Sequence, residues 1–118
     1  MIHGARQASS RKRQAKELAR ATRQRVQVDV LDAHGSWMRA VQAVPVAQLE
    51  FDMSTEAYRL ISARYQAGEI RQLEVLEGSA ALKNAELNLL KAQVEARLAA
   101  AALLAAGGAL EEWIDALR

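Results

Sequence analysis

The chain has no cysteine, one proline and few aromatic residues, and each scarcity removes a class of protein. Without cysteine there is no disulfide, no thiolate nucleophile and no sulfur-ligated zinc. An aromatic content of 4% leaves too little bulky side-chain area for an ordinary compact core, because Phe, Tyr and Trp carry much of the buried surface of a globule. No run of about 20 uninterrupted apolar residues is available to cross a membrane as a helix, and the opening MIHGARQASSRKRQAKEL lacks the apolar stretch of a secretory signal. What remains in 118 residues is abundant alanine, leucine and charge, the composition of long helices packed side by side. The fold class expected is all-α.

Charge is unevenly divided. Residues 1–25 hold eight basic groups and one acid, whereas residues 26–118 hold eight basic groups and thirteen acids. A basic arm containing Arg11, Lys12, Arg13, Lys16, Arg20, Arg23 and Arg25 suits phosphate or anionic headgroups. No aromatic residue interleaves it for base stacking, and a solvated helix start explains it more simply. The first fourteen residues are read as a flexible basic tail.

From about Ala15, apolar residues recur at helical steps through Val26, Val30, Ala33, Trp37, Val41 and Val44. Near Pro45 the large members shift to Leu49, Phe51 and Met53, so a phase slip with a kink or bulge is expected where proline removes a backbone donor. The stripe resumes at Ala57, Leu60, Ile61 and Tyr65 and stops at Gly68. The organisation expected is one helix over about 15–66, a tip at 67–70 and a second helix over about 71–106. After Gly107 and Gly108, residues 109–118 are expected to form a short separate amphipathic helix through Leu110, Trp113, Ile114 and Leu117 that folds back on the bundle. Folded about Gly68, the second helix would cover the first only to about residue 30, leaving some fifteen residues of it unpartnered.

The second helix carries two apolar seams. Leu73, Leu76, Ala80, Leu87, Leu90, Val94, Ala101 and Leu104 fit one heptad seam, interrupted by Lys83 and Arg97. Gly78, Leu82, Ala85, Leu89, Ala92, Ala96, Ala99 and Leu103 fit another without interruption, on nearly the opposite side. Polar strips separate them: Glu74, Glu77, Asn84, Asn88, Lys91 and Glu95 on one side, Ser79, Glu86 and Gln93 on the other. A helix in a lone hairpin buries one stripe and wets the rest, whereas four alternating sides describe a helix flanked left and right with water on both faces.

SARYQAGEIRQLEVLEG, residues 62–78, reads as a reversal between antiparallel helices, with Gly68 where positive φ is needed and Glu74 and Glu77 near the positive end of the new helix. These residues resemble the TolC-type outer-membrane efflux family. The likeness rests on Arg64-Tyr65-x-x-Gly68, on Glu74 before Val75-Leu76 and Glu77 after it, on Leu82, Ala85 and Leu89, and on Leu103, Leu104, Gly107 and Gly108. It covers residues 55–108 well and 15–54 loosely. Glu77 stands where the family often has aspartate and Gly78 where it often has alanine; the glycine should cost about 1 kcal/mol of helix stability unless a neighbouring backbone approaches it.

The resemblance implies a long coiled-coil-like hairpin within a trimeric, hollow α-barrel crossing the periplasm. It also implies docking to a periplasmic adaptor beneath an inner-membrane pump, with Arg64, Tyr65, Gly68, Glu74 and Glu77 as adaptor-docking, tip and gate residues. The function implied is passive export of small molecules or metal cations from the outer membrane and periplasm, with no enzymatic activity and no cofactor; the Gly68–Ile70 run leans toward metal efflux. Family members carry a signal sequence, two hairpin repeats and barrel strands not evident here, so a C-terminal fragment is expected. The alternative is a soluble coiled-coil interaction module whose basic arm binds nucleic acid.

Other chemistry finds little footing. Asp29, Asp32 and His34 in DVLDAH do not converge at ligand spacing on a helix, and His3 has no evident partner. No triad, phosphate loop or paired catalytic carboxylate is present. Trp37 and Trp113 lie in apolar helical patterns and are read as packing residues.

Overall fold

The computed structural model describes residues 2–117; for Ile2 and His3 only the backbone is described, so the side chain of His3 lies outside the described residues. Two helices make up the fold: α1 (Ile2–Gln66) and α2 (Gln72–Ala116), joined by residues 67–71. This is an all-α helical hairpin, with no strand among the described residues. Two units are distinguishable, Ser36–Ala101 around the turn, and the stretches up to Gly35 and from Ala102.

In the unit Ser36–Ala101, α1 turns inward Trp37, Ala40, Val44, Ala47, Phe51, Ser54, Tyr58 and Ile61, with steps that alternate three and four throughout. A strict seven-residue repeat of this kind keeps one seam against a neighbouring helix. Ala47 is buried at the point where the slip was expected, and Val41, Leu49, Met53 and Leu60 face outward. There is therefore no phase slip at Pro45. Reading only the large side chains misplaces the stripe, because every other seam position is occupied by a small residue. The α-helix runs through Pro45 without interruption; that residue is exposed and off the seam, so its ring and missing donor disturb no packing contact.

α2 meets this seam with Val75, Gly78, Leu82, Ala85, Leu89, Ala92, Ala96 and Ala99, again in steps of three and four. The buried side chains are alanines, Ala47, Ala85 and Ala92. Small residues on a seven-residue repeat let two helix backbones approach closely, while Leu82, Leu89, Phe51 and Tyr58 fill the spaces between. Gly78 takes this furthest: a Cβ built there would lie 2.9 Å from Ile61 Cδ1. The expected close neighbour exists, and it is a side chain, not a backbone.

In the other unit, α2 passes through Gly107 and Gly108 and continues as helix to Ala116. The separate terminal helix expected over 109–118 does not occur. Glycine keeps both backbone hydrogen-bonding groups and costs about 1 kcal/mol per residue, far less than proline, and the good helix formers on either side carry the helix across. Trp113 then reaches α1, where the Arg23 guanidinium sits 5.9 Å from its ring centroid, a cation–π distance. Leu110 lines a groove with Val30 and Leu31, and Leu117 another with Ala19 and Arg20. The covered part of α1 thus extends beyond the residue-30 limit expected from a shorter second helix. At its other end, within the stretch read as a basic tail over 1–14, α1 is helical from Ile2. Ala, Gln, Lys and Arg in that stretch are strong helix formers, and the residues from Gly4 to Arg25 are exposed apart from a half-buried Ser10.

Candidate functional site

The tip is built by a helix stop. The Glu69 N–H donates to the Arg64 carbonyl at 2.9 Å and the Gly68 N–H to the Tyr65 carbonyl at 3.0 Å, the paired bonds of a Schellman motif. That motif needs a left-handed residue between them, and Gly68 supplies it with φ 78°. The sequence expectation for Gly68 is met. The side chains of the motif's outer residues also meet, with Arg64 Nε 3.4 Å from Glu69 Oε2. Both groups are largely exposed, so the pair contributes well under about 1 kcal/mol; its effect is to tie the two chain directions together at one point. Glu69 was not singled out as a site residue, although two oppositely charged residues five apart across a helix-ending glycine are a legible sign of this clip.

The remaining tip residues are arranged around that stop. Tyr65 lies in the last turn of α1 and is 43% exposed. Glu74 stands in the first turn of α2, where its N–H donates to the Arg71 carbonyl at 3.1 Å and its carboxylate lies near the positive end of the helix dipole. Glu77 follows one turn later and is exposed. The Arg64 and Tyr65 carbonyls accept the Glu69 and Gly68 N–H groups respectively; the side chains of Tyr65, Glu74 and Glu77 are exposed to solvent on either side.

Below the tip, α2 shows its two seams very differently. The seam of Gly78, Leu82, Ala85, Leu89 and Ala92 is turned against α1, while Leu73, Leu76, Leu87, Leu90 and Val94 of the other seam are between 47% and 62% exposed. A matching exposed stripe runs along α1 through Val46, Leu49, Met53 and Leu60, and the first three help to line an open apolar groove with Ala57. An apolar stripe left exposed along each helix is a mark of association. On the α1 stripe stands Glu56, whose carboxylate accepts two hydrogen bonds from Arg59, at 2.6 and 3.0 Å; that bonding holds the Glu56 carboxyl below the usual glutamate range and raises Arg59.

Among the described residues no group of three or more His, Cys, Asp or Glu is placed to hold a metal ion, Asp29, Asp32 and His34 included. Among the described residues no helix is long and apolar enough to cross a membrane. Trp37 and Trp113 are half-buried on the inward faces of their helices, as packing residues are.

A family model described as outer membrane efflux protein matches residues 3–109. No curated protein and no solved structure matches the chain.

Proposed function

The chain belongs to the outer membrane efflux protein family, and from that premise we propose that it supplies one hairpin of the wall of a hollow helical duct. The duct is a passive conduit for small molecules or metal cations in a tripartite pump, its driving energy coming from an inner-membrane partner. The observation that carries this reading is the second, bare seam of α2: leucines repeating at heptad spacing, opposite the seam already packed on α1. A helix with water on its outer and inner faces and a neighbour on each flank needs that pattern. In the complete family assembly the subunit is a homotrimer, held at the outer membrane by segments other than these helices.

The tip takes the role of adaptor docking and gate. Arg64, Tyr65, Glu74 and Glu77 are exposed around a turn whose backbone is fixed by Gly68, so side chains can be recognised without the backbone having to be ordered first. Repeated by symmetry around a lumen, Glu74 and Glu77 form carboxylate rings that favour entering cations. Conductance of the assembled duct tests this: Glu74→Gln with Glu77→Gln should lower cation preference, and unchanged selectivity would remove the gate assignment. A photo-reactive residue in place of Tyr65 should capture the periplasmic adaptor; capture equal to that from a position at Leu90 would remove the docking assignment.

A further inference from the structure

The unit formed by the stretches up to Gly35 and from Ala102 carries a surface of one charge. α1 is helical there from Ile2, so the place of each basic residue around the axis follows from its number. At ~100° per residue, Arg6, Lys12, Arg13, Lys16, Arg20 and Arg23 fall within an arc of roughly 120°, with Glu17 at its edge. The far side holds Gln7, Gln14, Leu18 and Ala21, together with Arg11 and Arg25. All six residues of the basic face are exposed, and none forms an ion pair among the described residues. Arg23 rests on the Trp113 ring, a contact that leaves its charge in place. Because α2 ends at Ala116, with Leu117 beside Ala19 and Arg20, the face from Lys16 back to Arg6 is uncovered among the described residues. In that part Arg6 and Arg13 line an open groove with Ser9 and Ser10 between them, two guanidinium groups and two hydroxyls that suit phosphate oxygens.

We propose that this face lies on an anionic lipid surface and is held there by phosphate headgroups. The inference goes beyond the duct reading and does not rest on it. From Arg6 to Arg23 the face runs roughly 25 Å at ~1.5 Å per residue, and a straight, one-sided stripe can present all its cations to a plane at once. A helix in the major groove of DNA has phosphates on both flanks and uses cations around more of its circumference. Single strands call for aromatic platforms, and residues 1–25 contain no Phe, Tyr or Trp. The far side of the helix is not an apolar face, since Leu18 and Ala21 stand among glutamine and arginine. The helix therefore rests on the headgroups and does not sink among the acyl chains. Residues 26–118 hold thirteen acids against eight basic groups, so the same surface repels the rest of the chain and the contact is made by the arm.

Co-sedimentation of the whole chain with lipid vesicles tests this face. Vesicles of equal parts phosphatidylglycerol and phosphatidylcholine should bind it roughly tenfold or more tightly than phosphatidylcholine alone, and raised salt should release it. No preference for the anionic vesicles, or retention on them at high salt, overturns the proposal and leaves the duct reading intact. Two double variants separate the face from net charge: Arg6→Gln with Arg13→Gln removes two cations from the face, and Arg11→Gln with Arg25→Gln removes two from the far side. The first pair should weaken binding by roughly tenfold or more and the second by less than about threefold; equal losses overturn the one-sided contact. Glutamine matches arginine as a helix former, and unchanged circular dichroism controls for folding. Duplex DNA of mixed sequence at the same salt should bind more weakly than the anionic vesicles; DNA bound as tightly overturns the lipid assignment in favour of nucleic acid.

Discussion

The two flanks of α2 share a heptad spacing and differ in side-chain size: one places glycine or alanine at every other position, and the other carries mostly leucine. The flank against α1 is Gly78, Ala85, Ala92 and Ala99 alternating with Leu82, Leu89 and Ala96, and the bare flank is Leu73, Leu76, Leu87, Leu90 and Val94. Small residues bring α1 close; the large ones of the other flank form a broad, exposed apolar strip. The difference teaches that the packed and the exposed apolar flanks of one helix are written in different side chains.

The strongest way to break that contrast is to overfill the packed flank. Ala85, 2% exposed, has no room to grow, so Ala85→Leu should destabilise the chain by about 2–3 kcal/mol in urea unfolding followed by circular dichroism. On the bare flank Leu87→Ala should change monomer stability by less than about 0.5 kcal/mol and act on association instead. A loss at Leu87 equal to that at Ala85 would mean the flanks are not distinct. The turn gives a smaller effect: Gly68→Ala forces a Cβ into left-handed backbone and should cost about 1–2 kcal/mol in the same assay.

Gly78 sharpens the comparison from within the packed flank. Alanine there gains about 1 kcal/mol of helix propensity but presses on Ile61 Cδ1, the mobile end of its side chain. Gly78→Ala should therefore fall within about 1 kcal/mol of the parent, whereas Gly78→Leu should lose clearly more. The smallest effect concerns Glu56. Its carboxyl is held below the ordinary range by hydrogen bonds from Arg59, so this stabilisation is present above the unfolded glutamate pKa and lost as pH falls through the lowered folded value. An NMR titration of the side chain should show its midpoint moving upward in Arg59→Ala.

Much of this was readable from residue order alone. The reversal at Gly68 follows from a helix-ending glycine, and the double seam of α2 from counting apolar residues at seven-residue spacing. The α1 seam was harder to read because Ala40, Ala47 and Ser54 occupy positions where a search for large apolar residues finds nothing, and Leu49 and Met53 lie on the outer stripe instead. Continuation of α2 through Gly107 and Gly108 was also missed, because two glycines weaken a helix without forbidding it and Trp113 packs beyond them. At the tip, Arg64 and Gly68 were legible, while the clip to Glu69 depends on backbone geometry that spacing only suggests.

Sequence by itself determined that the chain is helical, where it reverses, and that α2 is apolar on two sides, since these are consequences of local conformational preference and periodicity. Only the tertiary structure decided which of the two apolar sides is filled. Periodicity marks a face as dry without naming its neighbour; that choice depends on how closely two backbones can approach, and here glycine and alanine made one side close enough while leucine kept the other open.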